Sequence, residues 1–177
     1  QTFTPPPSTV PDIRSLFLGF HYSIAKLPDT PMTARRADNR IGYFTTERWD
    51  FTTDERRIPV VRYINRWRLE KKDPAAPMSE PKQPIVFWID RTVPEKYRAT
   101  IRDGVLEWNK AFEKLGFDNA IVVHDQADDD TEHDPEDVRY NFFRWITAEA
   151  GFAMGPSRVN PLTDQILDAD IIFDASF

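Results

Sequence analysis

Three histidines, at His21, His124 and His133, and a run of carboxylates from His124 to Val138 are the residues whose types suit metal or acid–base chemistry. Zinc hydrolysis calls for two imidazoles on one helical face with a glutamate between them, and neither H-E-x-x-H nor its inverse is present. His133 opens H-D-P-E, where Pro135 breaks any helix before Glu136, so it reads as a solvent-exposed loop residue. His124 closes an apolar run, where capping or hydrogen bonding is expected rather than ligation. The loop around residues 125–137 offers the oxygen ligands that calcium takes. Lacking the glycine and spacing of an EF-hand, it is expected to be a solvated surface loop. Asp168, Asp170 and Asp174 alternate, so on one strand they share a face, as solvated groups or strand-end caps. No G-x-S-x-G, phosphate loop or dinucleotide fingerprint occurs, and Ser157 and Ser176 have no histidine nearby in sequence. These patterns assign no catalytic and no metal-binding residue.

Composition narrows the partners. A formal charge of −6 and a pI near 5.1 argue against a phosphate backbone, which needs a concentrated basic surface. Arg62, Arg66 and Arg68 do interleave with Tyr63 and Trp67 in RYINRWR, but this reads as a half-buried strand with its arginines paired to carboxylates. With no cysteine there is no disulfide framework and no thiolate metal site. No apolar run approaches membrane-spanning length, so insertion into a bilayer is not expected. The opening QTFTPPPSTV reads as a mature or trimmed end rather than a signal peptide or anchor.

The elements that must position any site divide at the proline-rich DPAAPMSEPKQP, Asp73 to Pro84. Residues 1–83 form a β-rich accessory segment and linker, with strands expected in RIGYFTTERWDF and RRIPVVRYINRWRLEKK; SLFLGFHYSIAKLP suits a strand or a helical turn. Residues 84–177 open with IVFWID, a continuous apolar run expected to be an interior strand. Thr92 and Glu95 form a T-x-x-E capping box. Tyr97, Ile101, Val105, Trp108, Phe112 and Leu115 follow as one helical stripe docking on the sheet, with Gly116 as the left-handed C-terminal cap. AIVVHD completes a βαβ unit with parallel strands, VRYNFFRWI alternates as a third strand, and GFAMGPSRV and ILDADIIFD are a fourth and fifth joined by NPLTDQ. The fold class is α/β (α+β): a mixed, mostly parallel five-stranded sheet with one long helix, plus the N-terminal β-rich extension.

PMTARRADNRIGYF, RYINRWRLEK, EPKQPIVFWIDRTVPEKYRATIRDGVLEWNKAFEKLGF and GFAMGPSRVNPLTDQILDADI together resemble the large bacterial zinc-dependent metallopeptidases of metzincin type, in which a domain of unknown function precedes the catalytic domain. The resemblance implies that residues 84–177 are the upper catalytic subdomain. It also implies that the zinc helix H-E-x-x-H-x-x-G-x-x-H should follow the fifth strand; that helix has no counterpart here, so the ligands for a zinc cofactor are absent from this chain. The family turn D-P-R-T-G-E is replaced by Asn160, Pro161, Leu162, Thr163, Asp164 and Gln165. By the same resemblance Gly151 to Val159 is the edge strand that binds an extended peptide, with Phe152, Ala153, Met154 and Gly155 nearest to it. The small Ala153 and Gly155 would admit another backbone.

The expected function is therefore part of a zinc metalloendopeptidase, inactive alone, packing on a C-terminal catalytic half and acting on peptide or protein in a secreted or periplasmic setting. The alternatives are a non-catalytic α/β module that captures peptide or protein on its sheet edge, and a calcium-stabilised interaction domain using the acidic loop.

Overall fold

The computed structural model describes residues 17–52, 54, 59–149 and 151–177; the opening QTFTPPPSTV lies outside them. In chain order the elements are β1 (Thr45–Trp49), β2 (Val60–Ile64), β3 (Ile85–Ile89), α1 (Glu95–Leu106), α2 (Asn109–Glu113), β4 (Ile121–Asp125), β5 (Asn141–Ile146), β6 (Ala153–Met154), β7 (Ser157–Val159), β8 (Ile166–Ala169) and β9 (Ile171–Asp174). The main sheet has the order β4-β3-β5-β9-β6, parallel at every pairing but the last, where β6 runs antiparallel to β9. The apolar run of β3 is an interior strand because both its edges are paired, and Ile85, Phe87 and Ile89 point into the core. Two clusters make up that core: Ile85, Phe87 and Ile121 near one end, and Ile89, Val93 and Phe143 near the other.

Glu107 and Trp108 keep right-handed helical angles, so the helical path continues from α1 into α2. The capping box does not form. Pro94 is the cap residue with no side-chain hydrogen bond, which leaves Thr92 two residues too early. Asp90 instead heads a turn in which its carboxylate accepts the Thr92 amide at 2.8 Å. The stripe docks through Ile101, Val105 and Phe112, while Tyr97 stacks on Trp145 at 5.4 Å. Trp108 and Leu115 remain 65% and 70% exposed, so the outer part of the stripe stays largely in solvent.

Gly116 closes the helix at φ 84°, with the Phe117 amide donating back to the Phe112 carbonyl at 3.0 Å. A Cβ there would lie 2.5 Å from the Pro77 carbonyl oxygen and 2.6 Å from the Lys71 ammonium. Gly116→Ala is expected to lower stability by about 2 kcal/mol, from the left-handed backbone and the clash with main chain together. An unchanged urea midpoint would refute this. The clash partner belongs to the proline-rich stretch, which folds back on itself rather than trailing: the Lys72 amide donates to the Glu80 carbonyl, the Lys82 amide to that of Glu70, and the Ser79 amide to that of Gly116.

Each arm of the C-terminal hairpin is divided in two. Pro156 has no N–H, and its carbonyl accepts the Asp170 amide at 3.0 Å, creasing the hairpin between β6 and β7 on one arm and β8 and β9 on the other. The β6–β9 half joins the main sheet, and the β7–β8 half is a separate two-stranded ribbon with a bulge at Arg158/Val159. A second ribbon, β1–β2, comes from the accessory segment. Its continuation reaches the hairpin turn, where the Arg66 amide donates to the Asp164 carbonyl and the Ile166 amide to the Arg66 carbonyl. Of the three arginines, Arg62 pairs with Glu47 at 2.8 Å and Arg68 with Glu70 at 2.7 Å, whereas Arg66 reaches the Thr33 carbonyl and, among the described residues, no carboxylate. From Phe17 to Pro28 the chain is neither strand nor helical turn but irregular, and Phe17, Phe20, Tyr22 and Ile24 are exposed.

Candidate functional site

Among the described residues β6 is the last strand of the sheet and is paired on one side only, Ala153 opposite Phe173 and Met154 opposite Ile172. Phe152 and Met154 are 37% and 50% exposed, and Ala153 and Gly155 are exposed as well, so all four candidate residues line an open edge. The Asp174 amide donates to the Phe152 carbonyl at 3.1 Å, and the Gly151 amide to the Ser176 hydroxyl at 3.1 Å, fixing the start of the edge against the end of β9.

The carboxylates behind this edge are buried, contrary to a solvated sheet face. Asp174 accepts the Ala148 amide at 3.1 Å and the Ser176 amide at 2.9 Å. Asp170 accepts the Phe142 amide at 2.8 Å, and burial raises its pKa despite that bond. Asp168, paired with Arg158, is pushed up to about 6, chiefly by burial and then by the Asp170 charge, against the pull of Arg158. Its other oxygen is buried with no hydrogen-bond partner among the described residues. Asp168 and Asp170 thus sit at the crease, and Asp174 caps the turn after β9.

At the tip of the hairpin Asn160 accepts the Leu162 amide at 2.9 Å, and Asp164 takes the left-handed φ of 60° that aspartate tolerates. Asp164 is fully buried, and Arg48 from β1 donates to both its oxygens at 2.7 and 2.8 Å. This clasp ties the accessory ribbon to the hairpin that carries the edge strand, and no sequence pattern announced it.

On its helix side the sheet is half covered. Val105 and Phe112 pack toward β3 and β4 and Ile101 toward Ile89, Val93 and Phe143, while Phe87, Phe143, Ile171 and Phe173 floor an apolar groove of about 570 Å³. Gly104 of α1 lines the same groove, and a Cβ there would meet nothing within 4 Å.

On the opposite face His133 is not a solvent-exposed loop residue. Its ring stacks on Trp88 at 3.8 Å, packs edge-on against Tyr140 at 4.7 Å and contacts the Asp130 carboxylate through Nδ1 at 2.8 Å. His124, exposed on β4, tilts against the same indole at 5.0 Å. The acidic loop is organised by its own carboxylates: Asp130, Asp134 and Asp137 each accept the amide two residues on, at 2.9 Å. The His133 amide also donates to Asp130, and these bonds hold the Asp130 carboxyl below its usual pKa. Buried Gln126 accepts the Arg91 amide and donates to the His133 carbonyl. Among the described residues no three His, Asp or Glu side chains converge to hold a metal ion.

Residues 1–72 match a family model described as a domain of unknown function, DUF5117. No curated protein and no solved structure matches the chain. The matched stretch includes the β1–β2 ribbon and Arg48 of the clasp.

Proposed function

We propose that this chain is the substrate-edge part of a zinc-dependent metalloendopeptidase, with the zinc ligands supplied from outside these 177 residues. The observation that carries the reading is the combination of a free antiparallel edge strand with a half-covered apolar face behind it. An α-helix is about 10 Å across and strands lie about 4.8 Å apart, so one helix covers roughly two strands. With α1 packed over β4 and reaching β5 only through Ile101 and Tyr97, the groove floored by Phe87, Phe143, Ile171 and Phe173 has the apolar character to seat a second helix, and Gly104 lets it approach closely.

In this reading an extended peptide adds to β6 through main-chain hydrogen bonds, with Phe152, Ala153, Met154 and Gly155 as its contacts. This chain's contribution is to bind and align the scissile segment; it is inactive alone. The metal chemistry belongs to the second helix, and the setting is secreted or periplasmic.

The test is expression from the whole gene, followed by zinc analysis and a peptidase assay alongside the 177-residue chain. One zinc per chain and hydrolysis in the whole product only are expected, and Ala153→Pro, which removes an N–H that points away from β9, should cut turnover at least tenfold. Peptide binding without zinc or hydrolysis in the whole product would overturn the peptidase reading and leave a non-catalytic peptide-binding module.

A further inference from the structure

On the face of the sheet away from the helix, the accessory segment, the β8 arm and the loop before β5 enclose a cavity of about 430 Å³, within the range of small-molecule sites. Arg68, Lys82 and Arg139 line it and, among the described residues, no aspartate or glutamate does, in a chain whose formal charge is −6. Arg139 is matched by Asp137 at 2.7 Å. Arg68 and Lys82, however, converge on a single carboxylate, Glu70, at 2.7 and 3.1 Å, so one positive charge at this wall is uncompensated. Trp88 and Tyr140 give the cavity an aromatic wall. Gln165 also lines it, and its side-chain oxygen is a buried acceptor with no donor among the described residues. A buried acceptor left open costs free energy that a ligand N–H recovers.

We propose that this cavity binds a monoanionic apolar carboxylate of the size of an N-acylated amino acid. Its carboxylate lies at Arg68 and Lys82, its amide N–H at Gln165 and its apolar side chain against Trp88 and Tyr140. A free acyl amino acid and the last residue of a peptide share this chemistry. None of these five residues belongs to the β6 edge or the helix-side groove, so this site stands or falls independently of the peptidase reading.

The probe is N-acetylphenylalanine, titrated into the 177-residue chain by calorimetry and tryptophan fluorescence. Saturable one-to-one binding is expected at or below about 1 mM. The uncharged N-acetylphenylalanine amide should bind at least about tenfold more weakly, and Lys82→Glu, at an exposed position, should weaken the acid by a similar factor while leaving the fold unchanged. An N-blocked tetrapeptide ending in phenylalanine separates the sources: comparable binding assigns the site to peptide ends, and exclusion with the small acid still bound assigns it to free acyl amino acids. Equal binding of acid and amide, or no saturation by about 10 mM, would overturn the proposal.

Discussion

Arg48→Ala is expected to destabilise the protein by about 2–4 kcal/mol, the largest single-residue effect in the clasp, because it strands a buried carboxylate. Asp164 has no exposed side-chain surface, whereas Arg48 is about one-third exposed, and that asymmetry places the cost on the aspartate left behind. The arginine is itself held over the Tyr63 ring, 4.6 Å from its centroid, and donates to the Pro161 carbonyl at 3.2 Å, so its geometry is fixed from three sides. Adding Asp164→Asn to Arg48→Ala should recover part of the loss, since the amide needs no countercharge. Urea denaturation of the four proteins in a double-mutant cycle gives the coupling directly. If Arg48→Ala unfolds with the wild-type midpoint, the clasp contributes nothing. Amide exchange should locate the damage: faster opening at the Arg66–Ile166 bonds, where the ribbon's continuation meets the hairpin, would mark loosening of the junction behind the edge strand.

The parts of the fold legible in the sequence are those whose determinants lie close together in the chain. Ile85–Ile89 is a strand by its own apolar run, α1 and α2 follow one stripe, and Gly116 ends them because only its backbone accepts that conformation beside Pro77. The edge position of β6 was reached through the resemblance, not from local pattern. What stayed hidden depends on partners far apart. Arg48 and Asp164 are separated by 116 positions, and nothing near either one marks it as half of a buried pair. His133 looked solvent-exposed because its neighbours are acidic, yet Trp88 and Tyr140 take its ring out of water. The capping box failed for a local reason: Asp90, two residues ahead of Thr92, claimed the amide first and shifted the helix start to Glu95.

Asp168 gives the protein a stability that should fall as pH rises from about 4 to about 6, the reverse of ordinary acid denaturation. Its native pKa of about 6 stands above the ordinary 3.8, so across that window the folded chain keeps a proton that the unfolded chain has released. Stability then declines with pH, by about 2–3 kcal/mol in all, and the loss is complete once the native carboxyl has ionised. Asp170, also raised, tilts the curve the same way. Asp168→Asn should remove most of the slope and raise stability above pH 6 by about 1–2 kcal/mol, because a neutral amide no longer meets burial and the Asp170 charge. Arg158 loses a partner, but with 55% of its side chain exposed it returns to water at little cost. Denaturation midpoints between pH 4 and 8 decide the matter: an Asn variant that keeps the wild-type slope, or is weaker at pH 8, would show that Arg158 outweighs burial. The position of this carboxyl explains why the result bears on function, since Asp168 lies at the crease where β8 gives way to β9, and β9 is the strand on which the β6 edge is paired. Under the proposed reading, in which a peptide adds to β6, a charge forced into that crease loads the support of the edge, and affinity for the peptide should fall over the same pH interval in the wild type and stay level in Asp168→Asn.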